Sequence, residues 1–173
     1  MDATGYLDML AGRYQRLYDV ERDVEVAGRR VEILAKSRVK HERYFLTRNM
    51  PLYGFETNTI ALVALAPAAT CPADISGFGD YLRAASAELV RPSGEVMSTV
   101  FNGVLVCCGG MGEGAADSVR SFRYTRSFWY GLRGWCHVGM IAVDLAGERV
   151  YAAPASRGYE AAHRCPGWEV GAG

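Results

Sequence analysis

Apolar and polar positions along this chain repeat with a period that changes at definable points. Leu7, Leu10, Tyr14 and Leu17 recur at spacings of three and four, which predicts a helix over residues 4–18, capped by Asp2 or Thr4. The period then drops to two. Val24 and Val26, and after them Val31, Ile33 and Ala35, alternate with Asp23, Glu25, Arg30, Glu32 and Lys36. That is a half-buried hairpin over 20–26 and 30–36, turning at Ala27, Gly28 and Arg29. A third strand is expected at 41–47 and a connection at 50–54. A fourth strand at 59–66 is apolar on both faces, hence central.

The Ala-rich residues 67–72, with two prolines, read as a loop, and Asp74 as the cap of a second helix over 74–90. Ile75, Phe78, Leu82, Ala85 and Leu89 form its stripe, and Arg91, Pro92, Ser93 and Gly94 stop it. A strand over 96–108 follows, then a flexible glycine-rich link over 109–114 and a short helix over 115–121. The stretch 120–153 supplies the long strands around which the rest is organised. Its segment 135–143 is almost wholly apolar, and Leu145 to Glu148 is a turn into a last strand at 150–153. The expected fold is a single α+β domain over 1–153. A mixed, mostly antiparallel β-sheet of about six or seven strands carries the two main helices, 4–18 and 74–90, on one side. Residues 154–173, rich in Pro, Gly and Ala, read as a poorly ordered tail.

Length and composition narrow the function. The chain has 173 residues, half of them hydrophobic, enough for one core without staples. Lys+Arg and Asp+Glu are each 19, so net charge does not draw the molecule to nucleic acid or to an anionic membrane, and any such contact needs a local patch. The longest apolar runs are strand-length, well short of the roughly 18 residues of a membrane span. No basic region followed by an apolar run opens the chain. Five cysteines, an odd number in a chain with its own core, read as reduced thiols of a cytoplasmic protein.

The motifs for chemistry are incomplete. Gly110, Gly112 and Ala115 match a dinucleotide-type glycine pattern, but Glu113 sits inside the loop and no carboxylate follows about twenty residues on. Cys107 and Cys108 are adjacent on a strand, as are Cys136 and His137, so neither pair can close on one metal. His163 and Cys165 lie in the tail. No catalytic residue, metal site or cofactor is assigned. What remains is the interleaving of Arg120, Arg123, Arg126 and Arg133 with Phe122, Tyr124, Phe128, Trp129, Tyr130 and Trp135. In a strand, Phe122, Tyr124, Phe128 and Tyr130 share one parity and face inward, which leaves Arg123 and Trp129 on the other face. Arg123, Arg126, Trp129 and Arg133 are therefore the expected contact surface, since Trp, Tyr and Arg are the residues that interfaces favour.

Three blocks carry a family likeness: Tyr18-Asp-Val-Glu-Arg-Asp-Val-Glu-Val, His41-Glu-Arg-Tyr-Phe-Leu-Thr-Arg and Gly134-Trp-Cys-His-Val-Gly-Met-Ile-Ala-Val-Asp-Leu. By these the chain resembles a group of small uncharacterised prokaryotic α/β proteins, a likeness that implies no activity. Over about the first hundred residues the element order also resembles PD-(D/E)xK nuclease-like folds. That resemblance implies a metal-holding acid at Glu32. It implies an acid and a lysine on the next strand, where Glu42-Arg43-Tyr44 stands instead and Lys36 and Lys40 come earlier. The expected function is a non-catalytic interaction or regulatory domain whose partner is another protein or a second copy of the chain. The alternatives are a divalent-metal-dependent nuclease-like enzyme and nucleic-acid binding through the arginine and aromatic strand.

Overall fold

The computed structural model describes residues 1–37, 57–90, 98–128 and 134–168. The expected third strand at 41–47, the connection at 50–54, and Trp129 and Arg133 of the expected contact surface lie outside the described residues. Helix α1 spans Ala3–Tyr14, followed by the hairpin of β1 (Tyr18–Val26) and β2 (Arg29–Ser37). Then come β3 (Thr57–Ala66), α2 (Pro72–Leu89), β4 (Ser98–Cys107), α3 (Ala115–Ser121) and β5 (Tyr124–Ser127). β6 (Trp135–Asp144), β7 (Arg149–Ala152), a 3-10 helix (Pro154–Tyr159) and α4 (Glu160–His163) complete the described chain.

The strands form one seven-stranded sheet in the order β1-β2-β3-β4-β6-β5, with β7 also on β6. β3, β4 and β6 run parallel; the remaining pairings are antiparallel. This is a single α+β domain on a mixed sheet. The two main helices lie on opposite faces, not on one. Ile75, Phe78, Leu82 and Ala85 of α2 pack with Leu62, Phe101, Leu105 and Met140, and α3 joins them through Ala115 and Val119. Tyr6, Leu10 and Tyr14 of α1 pack with Ile33, Val63, Val104 and Ile141. Strand pleating sends successive residues to opposite faces, so the central strands, apolar throughout, need cover on both.

Helix α1 starts where expected, with the Asp2 carboxylate accepting the Gly5 N–H at 2.9 Å. It ends early, at Tyr14, and Leu17 is 70% exposed in the link to β1. Helix α2 begins at Pro72 with Cys71 as its N-cap. Asp74 stands at the third helical position and accepts the Cys71 N–H at 2.8 Å, the reciprocal half of a capping box.

The hairpin is bent. Asp23 has φ +53°, and Asp23 and Glu32 do not pair across the ladder although the register on either side is continuous. Below the bend Tyr18, Val20, Ile33 and Ala35 face α1; above it Val24, Val26 and Val31 face α2. Side chains of one parity thus serve both cores. The expected tail is packed as far as Trp168: Ser156 and His163 are buried, and Trp168 stacks on Tyr6 at 6.3 Å.

Candidate functional site

The arginine and aromatic stretch becomes the end of α3, a corner and the four-residue edge strand β5. Residues Tyr124 to Ser127 pair antiparallel with Val138 to Trp135 of β6, and no strand pairs their outer side among the described residues. The pleat turns Tyr124, Arg126 and Phe128 toward the α2 side and leaves Thr125 and Ser127 exposed. Arg126, expected on the contact surface, is half-buried on that side. It has the parity of Phe128, its guanidinium lies 5.0 Å from that ring centroid, and its Nη1 is buried with no hydrogen-bond partner among the described residues. Arg123, one residue before the strand, is exposed. Its Nη1 donates to the carbonyls of Arg120 (2.6 Å) and Phe122 (3.0 Å).

Two more arginines lie over rings here: Arg83 of α2 at 5.3 Å from the Tyr124 centroid, and Arg120 at 5.3 Å from Tyr151. Flat guanidinium groups stack on aromatic faces and keep their edge donors for anions. Arg83 also pairs with Asp80 at 2.7 Å and Arg120 with Asp117 at 3.2 Å. Arg123 and Arg126 have no carboxylate within ion-pair distance among the described residues. Between α2 and α3 runs a groove of about 350 Å³, bordered by Ser76, Asp80, Arg83, Ser118 and Arg123. At its floor Gly79 lets the Phe122 ring pack directly on α2, since a Cβ built there would stand 2.9 Å from that ring. Trp135, 43% exposed, stands across from Ser127 in the β5–β6 register.

Of the expected site residues that are described, Arg123 borders this groove and Arg126 does not. Arg83, Ser76 and Ser118 escaped the sequence reading. The available signal was helical spacing: Ser76, Gly79 and Arg83 fall three and four apart, off the apolar stripe of α2.

Elsewhere the candidate chemistry resolves into structure. Glu32 does not meet a lysine: its carboxylate accepts the Leu65 N–H at 3.0 Å, and Lys36 pairs with Glu21 at 3.4 Å. Lys40 and Glu42 lie outside the described residues. The glycine link is tied down rather than free. Thr70 N–H donates to the Gly110 carbonyl (2.9 Å), and Gly112 N–H to the Thr70 carbonyl (2.8 Å). Gly110 has φ +84°, and a Cβ on Gly109 would stand 2.6 Å from the backbone of Ala68 and Ala69. All five cysteines are free thiols. Burial pushes Cys107 and Cys136 up to about 11, so neither is a thiolate at neutral pH. Among the described residues no three His, Cys, Asp or Glu side chains stand together as metal ligands. No helix among them is long and apolar enough to cross a membrane.

Residues 2–164 match a family described as "Domain of unknown function (DUF8052)". The chain belongs to this family. No curated protein matches it, and no solved structure does. The match extends through β7, the 3-10 helix and α4, so the packed segment after residue 153 is part of what defines the family.

Proposed function

We propose that this chain is a non-catalytic interaction domain of the cytoplasm, and that its groove and β5 edge dock an acidic segment of a partner protein. Arg123 carries the reading: an exposed guanidinium, without a carboxylate within ion-pair distance among the described residues, bordering a groove lined also by Ser76, Ser118 and the Arg83–Asp80 pair. A β-edge offers main-chain donors and acceptors to an added segment, and arginines beside it select an acidic one. Trp135, exposed on the other face of the sheet beside Ser127, offers an aromatic of the kind that interfaces use at the β5 end rather than in the groove. Arg126 serves from behind, stacking on Phe128 and adding positive charge under the strand.

The acidic segment has two sources with one chemistry. One is a different protein; the other is a second copy of this chain, whose β1 edge exposes Asp19, Glu21, Asp23 and Glu25. A fluorescein-labelled oligoglutamate peptide should bind saturably, with anisotropy falling as salt rises. Arg123→Glu should weaken that binding at least about tenfold, roughly 1.4 kcal/mol, with the urea midpoint unchanged. Concentration-dependent sedimentation abolished by the same change would assign the partner as a second copy. Equal binding by the variant sinks the proposal. Tighter, salt-steep binding of a labelled single-stranded DNA than of the peptide would replace it with a nucleic-acid reading.

A further inference from the structure

The bend in the hairpin opens a second cavity, and we infer that it binds a small monocarboxylate with a compact apolar body. β2 is paired with β3 only from Ile33↔Val63 to Lys36↔Ile60. Beyond Ile33 it swings toward α2, and among the described residues no strand pairs the far end of β3 on that side. Side chains take over the main chain of Leu65: Glu32 accepts its N–H at 3.0 Å, and Arg29 reaches its carbonyl at 3.5 Å. The opening beneath α2 holds about 390 Å³, within the usual range for small-molecule sites.

Arg29 is the feature that points to an anion. Its guanidinium lies 5.3 Å from the Tyr81 ring centroid and 5.8 Å from that of Phe78. Both rings are fixed in turn. The Tyr81 hydroxyl donates to the Val26 carbonyl at 2.9 Å, and Phe78 is buried in the α2 core. A guanidinium has five donors. This one has a single long contact and no carboxylate within ion-pair distance among the described residues. Its plane is thus held before any ligand arrives, which lowers the ordering entropy of binding and suits the paired oxygens of a carboxylate.

The remaining walls set the size and charge of the ligand. Ala66, Leu105 and Phe78 give an apolar lining, and Ala73 and Gly77 keep α2 from filling the space. A Cβ on Gly77 would meet nothing within 4 Å. Asp74 also borders the cavity. The Cys71 N–H it accepts holds its carboxyl below the ordinary range, so it stays charged. With Glu32 close by, that negative charge disfavours a dianion, and a single carboxylate is the head that Arg29 can take.

The test uses the whole chain and four probes: butyrate, benzoate, benzamide and inorganic phosphate. Butyrate or benzoate should raise the melting temperature saturably and shift amide resonances of residues 65–70. Benzamide and phosphate should do neither at the same concentration. Arg29→Met keeps the stem over the rings and should weaken carboxylate binding at least about tenfold. Gly77→Leu provides an independent check, because an exposed helical leucine is tolerated and would occupy the cavity. It should abolish the shift while the fold is retained. No saturable response to either carboxylate, an equal response to benzamide, or unchanged binding by Gly77→Leu would each overturn the inference. None of these outcomes bears on the β5 edge, so the two proposals fail separately.

Discussion

Replacing Gly139 with alanine is expected to destabilise the fold by about 4 kcal/mol, the sum of overpacking and an orphaned buried polar group. Gly139 lies on the α1 side of β6, under the 3-10 helix. A Cβ there would stand 1.8 Å from Ser156 Oγ, 3.0 Å from Asn102 Oδ1 and 3.1 Å from Ser156 Cβ. Ser156 and Asn102 are both buried, and the serine hydroxyl donates to the amide oxygen at 2.7 Å. The new methyl cannot be met by a rotamer change alone, because Ser156 is also anchored through its main chain to Ala153, whose N–H in turn bonds Met140. The 3-10 helix has to lift, and the Asn102 side chain loses its partner in an apolar layer. Urea melts of the variant give the loss. Trypsin should cut sooner after Arg157 and Arg164, which lie in the lifted segment. Adding Ser156→Gly removes the clash but not the orphaned amide, so about half of the loss should return. A Gly139→Ala melt within about 0.5 kcal/mol of the parent would show that the segment yields freely and that the packing is not limiting.

The same segment shows where sequence reasoning stops. The central strands, α2 and α3 were legible because their apolar positions keep one period over a full element. Three features were not. Hairpin parity assigned Val24, Val31 and Ile33 to one surface, but a single aspartate at positive φ divides them between two cores. Leu17 continues the spacing of α1 and yet lies outside it, since the strand that begins at Tyr18 takes the chain away first. Residues 154–168 have loop composition, and what holds them is distant: Tyr6 and Tyr14 reach them from the other end of the chain. For the candidate site, the arginine and aromatic stretch was visible as composition and Arg123 as one of its exposed members. Arg126 could have been placed inward from its parity with Tyr124 and Phe128. The groove could not, because it needs α2 and α3 side by side. The Arg29 cavity was invisible for the same kind of reason, since it depends on two strands parting after Ile33.

Acid should release the C-terminal segment from α1, with a loss of about 3 kcal/mol between pH 6.5 and pH 4 that traces to His163. The ring is buried, and its two nitrogens have defined roles. Nδ1 lies 2.7 Å from the Tyr159 carbonyl, which can only accept, so Nδ1 carries the proton. Nε2 is therefore bare and accepts the Tyr14 hydroxyl at 2.6 Å. Around this pair, the Tyr6 hydroxyl donates to the His163 carbonyl (2.8 Å), and Arg13 donates to the carbonyls of Ala162 (2.8 Å) and Arg164 (2.7 Å). Burial pushes His163 down to about 4; the bond to Tyr159 opposes that shift, and the Arg13 charge adds to it. The sign follows from proton counting. Between pH 6.5 and 4 the unfolded chain binds a proton at this histidine and the folded chain does not, so stability falls as pH falls across that window. Above pH 6.5 both states are neutral and the contribution is complete. Carboxylates titrate in the lower part of the window, so the informative quantity is the difference between the parent and His163→Gln in urea melts at pH 7.5, 5.5 and 4.5. The parent should lose more stability than the variant over that range, and its imidazole nitrogen resonances should stay neutral until about pH 4. Parallel pH profiles, or an imidazole that titrates near 6.5 in the folded chain, would mean that His163 is solvated and that the clasp between α1 and the C-terminal segment is held by Arg13 and Tyr6 alone.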